Sequence, residues 1–426
     1  MIRNMLLTAF RSLQKNKFFS LLNITGLGIG MAVFLLIALY VKFERSYEDF
    51  IPDKDDIYRV KLDTWLNNEL IMSSAENYPG VGPVLRHELP GVTDYARLYN
   101  VGYKNNVVIT YKEAKPEPIA LKQQHFLYAD SSFLSMMGYP MVKGDARTAL
   151  ARPLTAVISE TYAALYFKRE DPIGKTLVLQ DDDLNMEPAQ VTGVFKDLPE
   201  NTHLQFDVLF SYKTLFGRGN ESPGRYDNGW SRNDMYTFIR LQPGTDRQAI
   251  EARLPAIVEK YKPGSKNNGQ QYVLGLQPLK DIHLRSALAE EATANGNERI
   301  VVFMSVIGLF ILVIAWINYI NLATARSVER AKEVGVRKVM GAFKAQLIKQ
   351  FLVEAALVNL IAIAVAVLQI LMALPISIVY RDSHLLTHHF TNPGFYQLLL
   401  CYGLAALYYP AFILRWYSLP LSRSRY

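Results

Sequence analysis

Four long apolar runs break up an otherwise mixed chain, covering Phe18–Val41, Ile300–Leu322, Phe351–Val379 and Phe395–Trp416. Each meets the roughly 20 residues that a helix rising 1.5 Å per residue needs to cross about 30 Å of hydrocarbon. The second is the plainest, since Val301 to Ile317 carries nothing more polar than Ser305, and its helix is expected to reach residue 325. Glu354, near the start of the third, is costly at mid-membrane and belongs at the inner interface or against other helices. Pro410 is tolerable near the end of the fourth, where Tyr408, Tyr409 and Trp416 fit an interfacial aromatic belt. Ahead of the first run, Ile2, Met5, Leu6, Ala9, Phe10 and Leu13 share one helical face. That pattern predicts an amphipathic helix over residues 1–17 on the anionic inner leaflet, the plainer alternative being a cytosolic extension of the first span. The first run outlasts the apolar core of a signal peptide and no small-x-small site follows it, so it reads as an anchor.

Between the first two runs the pattern shortens. Strand-like stretches fall at Ile57–Leu62, Val107–Thr110, Thr155–Ile158, Thr176–Leu179, Ala189–Phe195 and Met235–Leu241, and helical patterns at Gly82–Glu88, Thr161–Phe167 and Arg247–Tyr261. This alternation predicts an α+β domain with small sheets over residues 43–298. The glycine-rich stretch Phe216–Gly229 predicts a loop or subdomain border. The whole is a membrane protein: four transmembrane α-helices with a large α+β extracytoplasmic domain inserted between helices 1 and 2.

Charge sets the orientation. Arg3, Arg11, Lys15 and Lys17 precede the first span, seven Lys and Arg lie in Arg326–Lys349 against Glu329 and Glu333 alone, and Arg415, Arg423 and Arg425 follow the fourth. Basic residues stay on the cytoplasmic side, so both termini and the central loop are expected inside and residues 43–298 outside. That outer segment holds 29 Lys and Arg against 35 Asp and Glu although the whole chain is +7. The basic balance is therefore a topology signal, and nucleic-acid binding is a poor explanation for it. The single cysteine, Cys401, lies in the fourth run, so the outer domain must rest on packing without disulfides.

Few motifs suggest chemistry. Gly174-Lys175-Thr176 lacks the first glycine of a phosphate loop, position 169 being Arg, and Asp171-Pro172-Ile173-Gly174-Lys175 reads as a turn into a strand. Gly26, Gly28 and Gly30 follow no strand, and Gly26-x-x-x-Gly30 instead offers a flat face for helix packing. Asn318 and Asn321 are expected to bond across helices or reach the inner interface, a transport path being the sharper alternative. His384 and His388 have metal-like spacing beside His389 but no completing ligand cluster, and Asp181-Asp182-Asp183 reads as a solvated loop. No metal site, cofactor site or catalytic grouping is expected.

The central loop is patterned as well as basic. Val328, Ala331 and Gly335, then Val336, Val339, Met340, Phe343, Leu347 and Phe351, follow helical spacing, with a helix stop at Gly341. The residues Ile317–Ser327, Arg330–Ala342 and Gln350–Ala355 closely resemble the FtsX/MacB-like permease family of ABC transporters, in the form common in Bacteroidetes-type bacteria. The resemblance covers the whole chain. It implies an FtsX-like permease domain over 299–420, a porter-like part at 43–120 with 230–298, and an inserted tip at 121–229. It also implies a coupling helix whose contacts with a separate ATPase fall on Glu329, Arg330, Glu333, Gly335, Arg337, Lys338, Gly341 and Ala342. Implied partners are that ATPase, which binds the ATP, a second permease as homodimer or heterodimer, membrane lipids and a periplasmic adaptor. Expected function is a non-catalytic permease subunit of the bacterial inner membrane that couples ATP hydrolysis to export or extraction of a substrate. The alternative is a mechanotransmitting regulator of envelope hydrolases or signalling. Members of the subgroup are often about twice as long, with a second outer domain. The chain is thus expected to be either a four-span half that dimerises or a piece of a longer permease.

Overall fold

The computed structural model describes residues 17–100, 107–123, 125–180, 186–217, 226–263, 269–325 and 343–380, with residues 7, 10, 11, 13–15, 335, 336, 339 and 340. Its compact units are Glu44–Glu298, and Met1–Phe43 with Arg299–Tyr426.

The outer unit is built on one sheet. Its strands are β1 (Ile57–Leu66), β2 (Glu69–Ser74), β3 (Val92–Tyr99), β4 (Val107–Tyr111), β5 (Ile119–Gln123), β6 (Phe126–Ala129) and β7 (Met141–Lys143). Then come β8 (Thr155–Ser159), β9 (Thr176–Gln180), β10 (Met186–Phe195), β11 (Val208–Ser211), β12 (Tyr236–Leu241) and β13 (Gln270–Pro278). They run in the order β13-β1-β12-β3-β6-β11-β8-β10-β9-β4-β5, with β2 on β1 and β7 on β10. The small sheets expected from the sequence are thus one sheet. The join is short: β3 meets β6 through only Leu98↔Ala129 and Tyr99↔Tyr128. Most neighbours are antiparallel, while β8 with β10 and β6 with β11 are parallel.

Helices cover the sheet. The first in the chain is α1 (Lys17–Arg45), which belongs mainly to the membrane unit; those of the outer unit are α2 (Val81–Glu88), α3 (Phe133–Met137), α4 (Glu160–Phe167), α5 (Arg247–Glu251), α6 (Leu254–Tyr261) and α7 (Ile282–Arg285). Val81 and Leu85 of α2 and Leu254 and Ile257 of α6 pack on Val60, Ile239 and Leu276. Phe133 and Met137 of α3 meet Leu98, Phe206 and Phe238 on the other face. Phe238 and Ile239 therefore serve different cores, and β12 is buried along nearly its whole length because both faces of a central strand are covered. Where a helix was expected over Arg247–Tyr261 there are two, because Pro255 cannot donate the bond an unbroken helix needs and starts α6 instead. Asp246 caps α5, its side chain accepting from the Gln248 amide at 2.9 Å.

In the membrane unit, α1, α8 (Glu298–Ala325) and α9 (Lys344–Tyr380) provide three helices long and apolar enough to cross a membrane among the described residues, over Lys17–Arg45, Glu298–Leu322 and Leu352–Met372. Leu27, Met31 and Leu35 of α1 meet Leu312 and Ala315 of α8 and Ala362, Ala366 and Ile370 of α9. The expected fourth span, Phe395–Trp416, lies outside the described residues, as do His384, His388, His389 and Asp181–Asp183.

Candidate functional site

Three places bear on function. Of the coupling residues implied by the resemblance, Gly335 lies in a helical turn and is exposed, while Glu329, Arg330, Glu333, Arg337, Lys338, Gly341 and Ala342 lie outside the described residues. What is described there is apolar and uncovered. Val336, Val339, Met340 and Phe343 are 60, 90, 74 and 74% exposed, and the Met340 amide donates to the Val336 carbonyl at 3.1 Å, closing one helical turn.

Next come the glycines of α1. Gly26 and Gly30, one turn apart, face α8: a Cβ on Gly26 would come 3.1 Å from Asn318 Nδ2, and one on Gly30 only 2.5 Å from the Ala315 Cβ. Gly28, on the other side of the helix, faces Val365 of α9, where an added Cβ would come 3.1 Å from the valine Cγ1. Gly308 repeats the arrangement from α8, against Ile37. Without a hydrophobic drive between helices in lipid, close packing must supply the attraction, and absent Cβ atoms let the backbones approach. Asn321 is exposed on α8, and Glu354 is buried within α9's packed face.

The third place was not foreseen. From the last turn of α1 onward, the segment Glu44–Ile51 is fixed by buried polar contacts. Glu44 Oε2 lies 2.8 Å from His283 Nε2, each side chain 6% exposed, and the Tyr47 ring stacks on the same imidazole. Glu48 is held harder. Its Oε1 accepts from the His203 amide at 2.6 Å and lies 2.7 Å from His203 Nδ1, its Oε2 accepts from Thr202 Oγ1 at 2.9 Å, and its own amide donates to the Asn201 carbonyl at 3.1 Å. These bonds hold Glu48 at φ 62, a left-handed conformation that a residue with a Cβ adopts at a cost. His203 Nε2 finds no partner among the described residues. A proton on Nδ1 therefore suits the site, for it donates to the carboxylate and leaves only a bare lone pair buried. Tyr139 is buried beside this pair, and burial, with the Glu48 carboxylate adding to it, holds its phenol well above the ordinary value.

A neighbouring ion pair completes the region. Arg59, buried on β1, donates through Nη2 to Glu291 Oε1 at 2.8 Å, to Gln277 Oε1 at 2.7 Å and to Ser286 Oγ at 3.0 Å. Burial pulls the Glu291 carboxyl up, but the bond and charge of Arg59 outweigh it and leave the group below its ordinary value. Each of these residues is unremarkable in sequence. Only the fold brings 44, 48, 59, 203, 283 and 291 together, and a lone buried histidine has no periodicity that would mark it. Among the described residues, no three His, Cys, Asp or Glu side chains converge as a metal site.

Comparison with known proteins adds the identity of the parts. Residues 20–257 match the MacB-like periplasmic core domain and residues 305–423 the FtsX-like permease C-terminal domain. The macrolide export ATP-binding/permease protein MacB of Agrobacterium fabrum is 24% identical over 259 residues, 59% of this chain and 35% of that protein. Its namesake from Bordetella avium is 27% identical over 261 residues, 58% of this chain and 34% of that protein. The chain thus spans about a third of the length of the curated relatives it matches. A solved domain of a putative permease protein from Porphyromonas gingivalis is 24% identical, covers 54% of this chain and 91% of its own, and superposes with a TM-score of 0.44. A periplasmic core domain set between apolar helices, followed by a permease domain, defines one group, and this chain belongs to the FtsX/MacB-like family of ABC transporter permeases.

Proposed function

We propose that the chain is a non-catalytic permease subunit that couples ATP hydrolysis on a separate ATPase chain to movement of its extracytoplasmic domain, exporting or extracting a substrate. The observation that carries this reading is the uncovered apolar turn at Val336, Val339, Met340 and Phe343, set in a basic loop between two spans. Exposed apolar side chains on a cytoplasmic loop are stabilised by a protein partner, and the surrounding Lys and Arg steer it. In this reading the chain sits in the bacterial inner membrane with both termini cytoplasmic. The packed helices α1 and α8 then carry an inner-side tilt outward, since each is continuous to the residues that join it along the chain to the outer domain: α1 runs to Arg45 and α8 starts at Glu298. A second permease copy and a periplasmic adaptor complete the assembly. Reversing Arg337 and Lys338 to Glu together is expected to weaken ATPase capture by the detergent-solubilised chain at least tenfold at low salt, on the order of 1.4 kcal/mol. Unchanged capture by that double variant removes the docking assignment. If the complex hydrolyses ATP in liposomes without vectorial movement of any added substrate, the regulator reading takes its place.

A further inference from the structure

We propose that Glu44, Glu48, His203 and His283 form a clasp that makes the end of α1 and the entry to α8 move as one body, so that these four act as positioning residues for coupling; this rests on the function proposed above. The contacts join four separate parts of the chain. Glu44 occupies the last turn of α1 and its partner His283 lies on α7. Gly296, two residues before α8, packs against that pair: a Cβ there would fall 2.6 Å from Glu44 Oε2 and 2.8 Å from His283 Nε2. Arg285, at the end of α7, pairs twice with Glu298, the first residue of α8, at 2.9 Å from Nε and from Nη2. The loop 201–203 grips the turn after α1 from another side. Asn201 Nδ2 donates to the Ser46 carbonyl at 2.8 Å and to its Oγ at 3.0 Å, and Glu48 closes on His203 as described. Thr293 Oγ1 then donates to the His203 carbonyl at 2.9 Å, tying that loop to the irregular segment leading into α8.

The chemistry favours a mechanical role over a solvated surface cluster. Both Glu–His pairs are buried, so water does not replace a lost partner and each broken contact strands a polar group. Buried polar networks of this kind fix one geometry where apolar packing tolerates several. A displacement of α1 then reaches α8 and the sheet through bonds of fixed direction.

The test uses the full chain in lipid nanodiscs with its ATPase, reading hydrogen exchange of the outer domain in nucleotide-free and ATP-vanadate states. Wild type is expected to show a nucleotide-driven change that His283→Phe and His203→Phe each at least halve, with ATPase association unaltered. His283→Gln, which returns a donor near the Nε2 position, and His203→Asn, which does so near Nδ1, are expected to restore it. Glu44→Gln, the mildest change, serves where a ring substitution fails to fold, and is expected to reduce the response without lowering expression. Full responses in the Phe variants, or equal losses in Phe and amide variants, overturn the clasp while leaving the permease reading in place. A wild-type complex with no nucleotide-driven change overturns both.

Discussion

At the scale of single residues, Arg59 sets the strongest demand on the outer domain. Its side chain is 1% exposed and depends on Glu291, itself 13% exposed, for a countercharge. Removing one member of a buried pair leaves the other charge uncompensated, so Glu291→Ala is expected to cost about 3 kcal/mol, read as a lower unfolding midpoint of the full chain in detergent. The same pair gives an acid limit. The Glu291 carboxyl is held below 4.5, its ordinary value and that of the unfolded chain, so the fold favours the ionised form. That contribution is complete above about pH 4.5 and is lost as the pH falls through the folded value. Stability of the wild-type chain should therefore decline below that point, and Glu291→Gln should flatten the decline; an equally steep acid profile in the variant would falsify the assignment. None of this was legible in sequence, since an arginine in a strand reads as a solvent-facing position until the partner 232 residues away is placed beside it.

At the scale of elements, what the sequence announced and what it hid follow from how local each signal is. Thr155–Ile158 and Ala189–Phe195 were legible as strands because Ala156, Val157 and Ile158 form a short buried apolar run, while Ala189 and Val191 alternate with Gln190 and Thr192 before the buried Val194 and Phe195. β3 was not, because it mixes Asp94 and Arg97 with its apolar residues, and Arg97 is accommodated by partners distant in sequence, the Asp130 carboxylate and the Pro79 and Asp227 carbonyls. The hairpin of β1 and β2 turns on Asn67 and Asn68, both at positive φ, a conformation asparagine accepts more readily than most residues. Glycine spacing in α1 was legible for the opposite reason, being a one-turn repeat on a single helix. Its consequence is measurable. Gly30→Ala drives a Cβ to 2.5 Å from Ala315, which demands movement of one helix, and is expected to cost about 1–3 kcal/mol of packing. Gly335→Ala meets nothing within 4 Å in a helical turn, so it should be neutral or slightly stabilising. Thermal unfolding of the two variants side by side, with equal midpoints, would remove the close contact of α1 and α8 from the account.

At the scale of the whole molecule, everything functional depends on which side of the membrane each part occupies. Charge asymmetry argues that Arg326–Lys349 is cytoplasmic, and the match of residues 20–257 to a periplasmic core domain gives the outer domain its compartment independently. The chain offers a clean probe because its single thiol, Cys401, can be changed to Ser. On that background Val339→Cys places a thiol at a position 90% exposed, and Leu70→Cys places one on the outer domain at a position 50% exposed. A charged maleimide added to intact spheroplasts is expected to label the cysteine at 70 at once and the one at 339 only after the membrane is opened. Both labelled together, or the order reversed, would put the basic loop where no ATP-hydrolysing partner can reach it. The apolar turn would then need another occupant, the helices α1 and α8 would have no inner-side force to carry, and the buried Glu–His contacts would be reduced to holding the outer domain's own shape.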